Sequence, residues 1–176
     1  MEPGQDRKIA ALTFISYVHF LFGCDLMNDE YFMNMALKEA YKAYEKGEVP
    51  VGAIIVLNNK IIAKAHNLRE TKKDITKHAE LIAIKKASLK ISDWRLQNSV
   101  MYVTLFPCPM CASAITQSRI KKVVVGSRTK DSNIYHIGKE ILKGNSFCPK
   151  VEVTEDILTE QCVNLLSKFF KKQRTK

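Results

Sequence analysis

The sequence has no internal repeat and no low-complexity segment. It also lacks an apolar run long enough for a confident membrane crossing, since the mostly apolar stretch from Ile9 to Gly23 falls short of the about 20 residues a spanning helix needs. A single domain is what remains. Its 176 residues suffice for a core without covalent staples, because a chain of this size buries roughly 70% of its unfolded surface on folding. A full set of cysteine pairs is missing too. The five cysteines are odd in number, which excludes a closed disulfide framework and points to a reducing compartment, the cytoplasm. Acidic residues are in deficit: 18 Asp and Glu face 28 Lys and Arg, a formal net charge of +10. Such an excess favours polyanionic partners, whose phosphates release counterions on binding. Charge alone leaves open a merely solvated basic face.

Residues 1–26 stand apart from the rest. The stretch Leu21-Phe22-Gly23-Cys24 has the outline of a lipoprotein cleavage site. Against export stand the balance of Glu2 and Asp6 with Arg7 and Lys8, the bulk of Phe22, and the oxidation that awaits exported thiols. The segment is expected to be an N-terminal extension or the product of an upstream start codon, poorly ordered and dispensable.

Beyond it, helix and strand periods alternate. Tyr31, Phe32, Met35, Ala36, Ala40 and Ala43 recur at helical spacing, Asn28 or Asp29 can cap that helix, and Gly47 ends it. Two apolar runs, Val51–Leu57 and Lys60–Ala65, flank Asn58-Asn59, side chains that tolerate positive φ, so an antiparallel hairpin is expected. Helices are expected over His78–Leu89, Cys108–Ser118 and Leu158–Lys172, and strands over Val100–Leu105, Lys121–Gly126 and Lys150–Thr154. Apolar strands alternating with helices call for parallel pairing and right-handed crossovers. In the last helix Leu158, Cys162, Leu165, Leu166 and Phe169 share one apolar face, which makes Cys162 a core residue. Lys171 to Lys176 form a basic end that suits either phosphate contact or solvation.

The chemistry is concentrated in His78-Ala79-Glu80 and Pro107-Cys108-Pro109-Met110-Cys111. One imidazole and two thiolates, from His78, Cys108 and Cys111, are the ligand count of a catalytic Zn²⁺ that keeps its fourth tetrahedral position for water. A structural zinc site would want four protein ligands, and Cys24, Cys148 and Cys162 supply no second C-x-x-C. Both motifs sit at expected helix starts, where partial positive charge favours thiolates, and Pro107 fits such a start. Glu80 is not needed as a ligand and is free to move protons, a role worth about 10²–10⁴ in rate. Met110 is a poor ligand for zinc and fits core packing. The two stretches together carry the established H-x-E and P-C-x-x-C signature of zinc-dependent nucleobase deaminases.

The flanking sequence narrows the branch. Gly47-Glu48-Val49-Pro50-Val51-Gly52-Ala53, His66-Asn67-Leu68-Arg69-Glu70, Trp94-Arg95-Leu96 and Leu165-Leu166-Ser167-Lys168-Phe169-Phe170 resemble the bacterial tRNA wobble-adenosine deaminases from about Met27 to the last helix. The resemblance implies a three-layer α/β/α cytidine-deaminase-like fold with a central mixed five-stranded sheet over residues 27–176. It implies one Zn²⁺ per subunit, a homodimer, and a tRNA anticodon stem-loop whose adenosine becomes inosine. It also makes Asn67 the residue whose amide reads the flipped base, beside the backbone of Ala79.

The resemblance frays after the fourth strand. The family usually has a small residue, an Asp two positions on, then Gly-Ala-x-Gly-Ser; this chain has Ser127, Thr129 and Asn133-Ile134-Tyr135-His136-Ile137. Phe106 stands where the family has an acidic residue. In a loop meant for close backbone approach to RNA, Ile134 and Ile137 would obstruct. Asp131 to Tyr135 has a faint likeness to the guanine-deaminase branch, so a free base or nucleoside of guanine or cytosine type is the alternative substrate. A non-catalytic RNA-binding or scaffold subunit is the alternative of another class, against which Glu80 speaks. Trp94 suits either base stacking or loop packing, and His136 is expected to be an ordinary surface histidine.

Overall fold

The computed structural model describes residues 29–174. The expectations for residues 1–26, the capping role of Asn28 and the end of the basic tail lie outside the described residues. Strands β1 (Gly52–Leu57) and β2 (Lys60–His66) form the expected antiparallel hairpin, with Asn58 and Asn59 at φ of 50° and 58° in the turn. Strand β3 (Val100–Leu105) lies antiparallel to β1, and β4 (Lys122–Ser127) and β5 (Glu152–Thr154) follow parallel to it. The sheet is therefore mixed, five-stranded, in the order β2-β1-β3-β4-β5.

Helices cover both faces, because the strands are apolar on both. Along β1, Ile54 and Val56 point to one layer and Ala53 and Ile55 to the other. The first layer holds α1 (residues 29–45) and α6 (Thr159–Arg174), with Met33, Ala36, Ala40, Cys162 and Leu165 buried on Tyr102 and Val124. The second holds α3 (Ala79–Ile91), α4 (Pro109–Gln117) and α5 (Ser132–Leu142), with Ala83, Ala87, Ile115 and Leu142 buried on Met101, Val103 and Val123. A one-turn helix, α2 (Arg69–Lys72), lies between β2 and α3. The three-layer expectation holds. Gly52 shows how tightly the layers meet, since a Cβ there would collide with the backbone of Ala36 and Ala40 in α1.

Two local expectations are corrected. The proline at the start of α4 is Pro109, with Cys108 as N-cap, so Pro107 precedes the helix and does not open it. The segment expected as an irregular loop after β4 contains α5 instead. Asp131 starts it by accepting from the backbone N–H groups of Asn133 and Ile134. Ile134 and Ile137 then lie on its outer side, 37% and 51% exposed. The Asp29 carboxylate, at the start of α1, accepts from the Tyr102 hydroxyl at 2.6 Å and from Lys122 at 3.2 Å. Among the described residues, no helix is long and apolar enough to cross a membrane.

Candidate metal centre and active site

Two helix starts build the centre. His78 is the N-cap of α3 and Cys108 the N-cap of α4, both in extended conformation and neither spending its side chain on a cap hydrogen bond. Imidazole and thiol are thus left to turn toward each other. Cys111, one turn into α4, is fully buried beneath them. The ligand atoms of His78, Cys108 and Cys111 all lie within 4.8 Å of one another. His78 Nδ1 is 3.7 Å from Cys108 Sγ and 3.5 Å from Cys111 Sγ. Tetrahedral bonds of about 2.0 Å to nitrogen and about 2.3 Å to sulfur set N and S about 3.6 Å apart, so this donor set fits Zn²⁺ in both chemistry and spacing.

The electrostatics agree with a site awaiting a cation. Its hydrogen bond with Cys111 holds the Cys108 thiol down to about 4, and the same partnership pushes Cys111 up. A hydrogen bond with Cys108 raises His78. Burial pushes the Glu80 carboxyl up, for only 4% of that residue is exposed.

A cavity of about 180 Å³ opens above the centre, lined by Val49, Val51, Leu105 and Phe106 as apolar walls and by Asn67, His78, Ala79, Glu80 and Cys108 as polar floor. All six residues expected at the site come together; five of them line the cavity and Cys111 lies behind the lining, against His78 and Cys108. Val49 and Leu105 also border a wider cleft of about 720 Å³ formed with Arg128, Thr129, Lys130, Phe170 and Arg174. Met110 is half-buried, the guanidinium groups of Arg95 and Arg119 stand over the Trp94 ring at 4.3 and 5.7 Å from its centroid, and His136 is exposed on α5. None of these three borders either space.

Phe106 explains how the divergent segment is accommodated. Its ring packs on Tyr135 of α5 with centroids 4.7 Å apart, and a Cβ on Gly138 would press on the same ring and on the Pro107 carbonyl. An aromatic contact thus seats α5 against the end of β3. The residue that sequence reasoning passed over is Glu48. Fully buried, it accepts from the Asn67 side-chain amide at 3.3 Å and from the backbone N–H groups of Glu70 and Thr71 at 3.2 and 2.6 Å. Burial pushes its carboxyl up, but the Thr71 and Glu70 donors outweigh that and hold it below the ordinary carboxylate value. A carboxylate at the head of the apolar run 49–57 was the available signal.

Residues 26–127 match the cytidine and deoxycytidylate deaminase zinc-binding region. The chain is 44% identical over 151 residues to the tRNA-specific adenosine deaminase of Bacillus subtilis, covering 86% of this chain and 94% of that one. To the enzyme of the same name from Aquifex aeolicus it is 45% identical over 148 residues, covering 84% and 97%. A solved structure from work on A-to-I editing by tRNA:A34 deaminases at the wobble position of transfer RNA superposes with a TM-score of 0.71 at 32% identity, over 77% of this chain and 98% of that one. With its metal-binding triad, its fold and its sequence in accord from the first strand to the last helix, the chain belongs to the zinc-dependent cytidine and deoxycytidylate deaminase family, among the tRNA-specific adenosine deaminases.

Proposed function

We propose that this protein hydrolyses adenosine to inosine at the wobble position of a tRNA anticodon, with water consumed and ammonia released. The observation that carries the reading is the meeting of His78, Cys108 and Cys111 at the floor of a base-sized cavity that also holds Glu80 and Asn67. Similarity along 94% of a curated tRNA deaminase supports tRNA over a free base or nucleoside, and a buried carboxylate beside the metal ligands supports an enzyme over a scaffold.

His78, Cys108 and Cys111 would hold Zn²⁺, whose Lewis acidity makes water a usable nucleophile at neutral pH. The Glu80 carboxylate accepts the proton that the attacking water gives up. It gives that proton to the ring nitrogen, then carries the second one, from the newly added hydroxyl, to the departing amine, so that inosine and ammonia leave without a net change in the enzyme. The backbone of Ala79 and the amide of Asn67 hold the base in the plane this transfer needs, and Val49, Val51, Leu105 and Phe106 keep bulk water out. The target nucleotide must leave its stack, a cost of a few kcal/mol that is smallest in a single-stranded loop. Residues 27–176 carry this activity, in the cytoplasm and as a homodimer.

Incubating the zinc-loaded protein with an anticodon stem-loop, and separately with free adenine, guanine, cytosine and their nucleosides, tests the reading. Inosine in the stem-loop is the expected product. Ammonia from the free compounds with none from the stem-loop would overturn it.

A further inference from the structure

Asn67 Oδ1 is the buried side-chain polar atom that finds no hydrogen-bond partner among the described residues. Asn67 is 6% exposed and borders the cavity over the metal ligands. An unpaired buried acceptor costs free energy comparable to a lost hydrogen bond, so its orientation needs a cause. Glu48 is that cause. As a carboxylate it accepts and cannot donate, so only the NH₂ end of the Asn67 amide can face it. Turning the amide over would set two oxygens against each other in a buried place. The Asn67 main chain is held independently, its N–H donating to the Val51 carbonyl at 3.0 Å.

We propose that Glu48 is a positioning residue, which fixes the Asn67 amide so that the cavity offers a carbonyl acceptor to a donor group of the bound nucleotide. This rests on the deaminase reading above and adds to it the chemistry of the contact: the ligand must bring an N–H or a ribose hydroxyl to Oδ1. Glu48 itself does not touch substrate, because it is fully buried and absent from the cavity wall. Its bonds to the backbone of Glu70 and Thr71 at the start of α2 give it a second, structural duty. An experiment therefore has to separate the two.

Glu48→Gln keeps the size and an oxygen for Thr71 but presents an amide to Asn67. In the zinc-loaded full chain, the Asn67 side-chain amide signals, assigned by their loss in Asn67→Asp, should shift and exchange faster with solvent in Glu48→Gln. Signals unchanged by that substitution would overturn the lock whatever the substrate proves to be. In the second arm, Glu48→Gln, Asn67→Ala and the double variant are compared on an anticodon stem-loop. Glu48→Gln alone should lower kcat/KM by about 10- to 100-fold, and by less than about threefold when Asn67 is already alanine. Fold-losses that multiply would make Glu48 a structural residue only and refute the proposal. If the unaltered protein deaminates no RNA, the functional reading fails while the amide signals still decide this one.

Discussion

Under the proposed mechanism, replacing Glu80 by alanine removes the proton carrier and leaves His78, Cys108 and Cys111 in place. Zinc content should stay at one ion per chain while turnover on a stem-loop falls by about 10²–10⁴. Metal analysis beside an ammonia-release assay checks both halves, and turnover within tenfold of the parent would end Glu80's assignment. The ligands themselves were legible in the sequence because metal chemistry admits few side-chain types and helix geometry admits few spacings, as Cys108 and Cys111 illustrate. Glu48 was not legible as a site residue. Its partners Asn67 and Thr71 lie 19 and 23 residues along the chain, and only folding brings their donors to one carboxylate.

Among the elements, α5 departs most from expectation. Its residues looked like an irregular loop because the comparison was with a glycine-rich segment, and the N-cap at Asp131 and the apolar recurrence at Ile134, Ile137 and Ile141 were overlooked for it. Strands were easier, since Val100–Leu105 is apolar almost throughout and therefore buried on both faces. What ties α5 to the sheet edge is Glu155, which accepts from the Tyr135 hydroxyl at 2.9 Å and pairs with Lys139 and Arg128 at 3.1 and 2.8 Å. Burial pushes the Glu155 carboxyl up, yet the Lys139 and Tyr135 hydrogen bonds and the Arg128 charge bring it below its ordinary 4.5. A depressed folded value means that the unfolded chain takes up this proton first as pH falls. The contribution is then complete above about 4.5 and is lost below it. Glu155→Gln should therefore cost about 1–2 kcal/mol near neutral pH, a figure kept modest by its half-exposed partners. The deficit should shrink as pH falls below about 4.5 and through the lowered folded value, as urea melts of both proteins at neutral and at acid pH would reveal. An equal deficit at both would show that charge is not its source.

For the whole molecule, the net charge of +10 should make RNA binding strongly dependent on salt. Neutralising about four phosphates of a single-stranded loop predicts an affinity loss of about 50-fold between 50 and 200 mM salt. Anisotropy titrations of a labelled stem-loop would measure it, and an affinity indifferent to salt would remove phosphate contact from the picture. The layered architecture has one more consequence. His78, Cys108, Cys111, Glu80 and Asn67 all fall within residues 67–111, whereas the wider cleft beside them draws most of its wall from Arg128 onward. The floor of the inner cavity and the wall of the outer cleft thus come from separate lengths of the polypeptide. Substitutions from Arg128 onward can therefore reshape the outer cleft while leaving His78, Cys108, Cys111 and Glu80 in place.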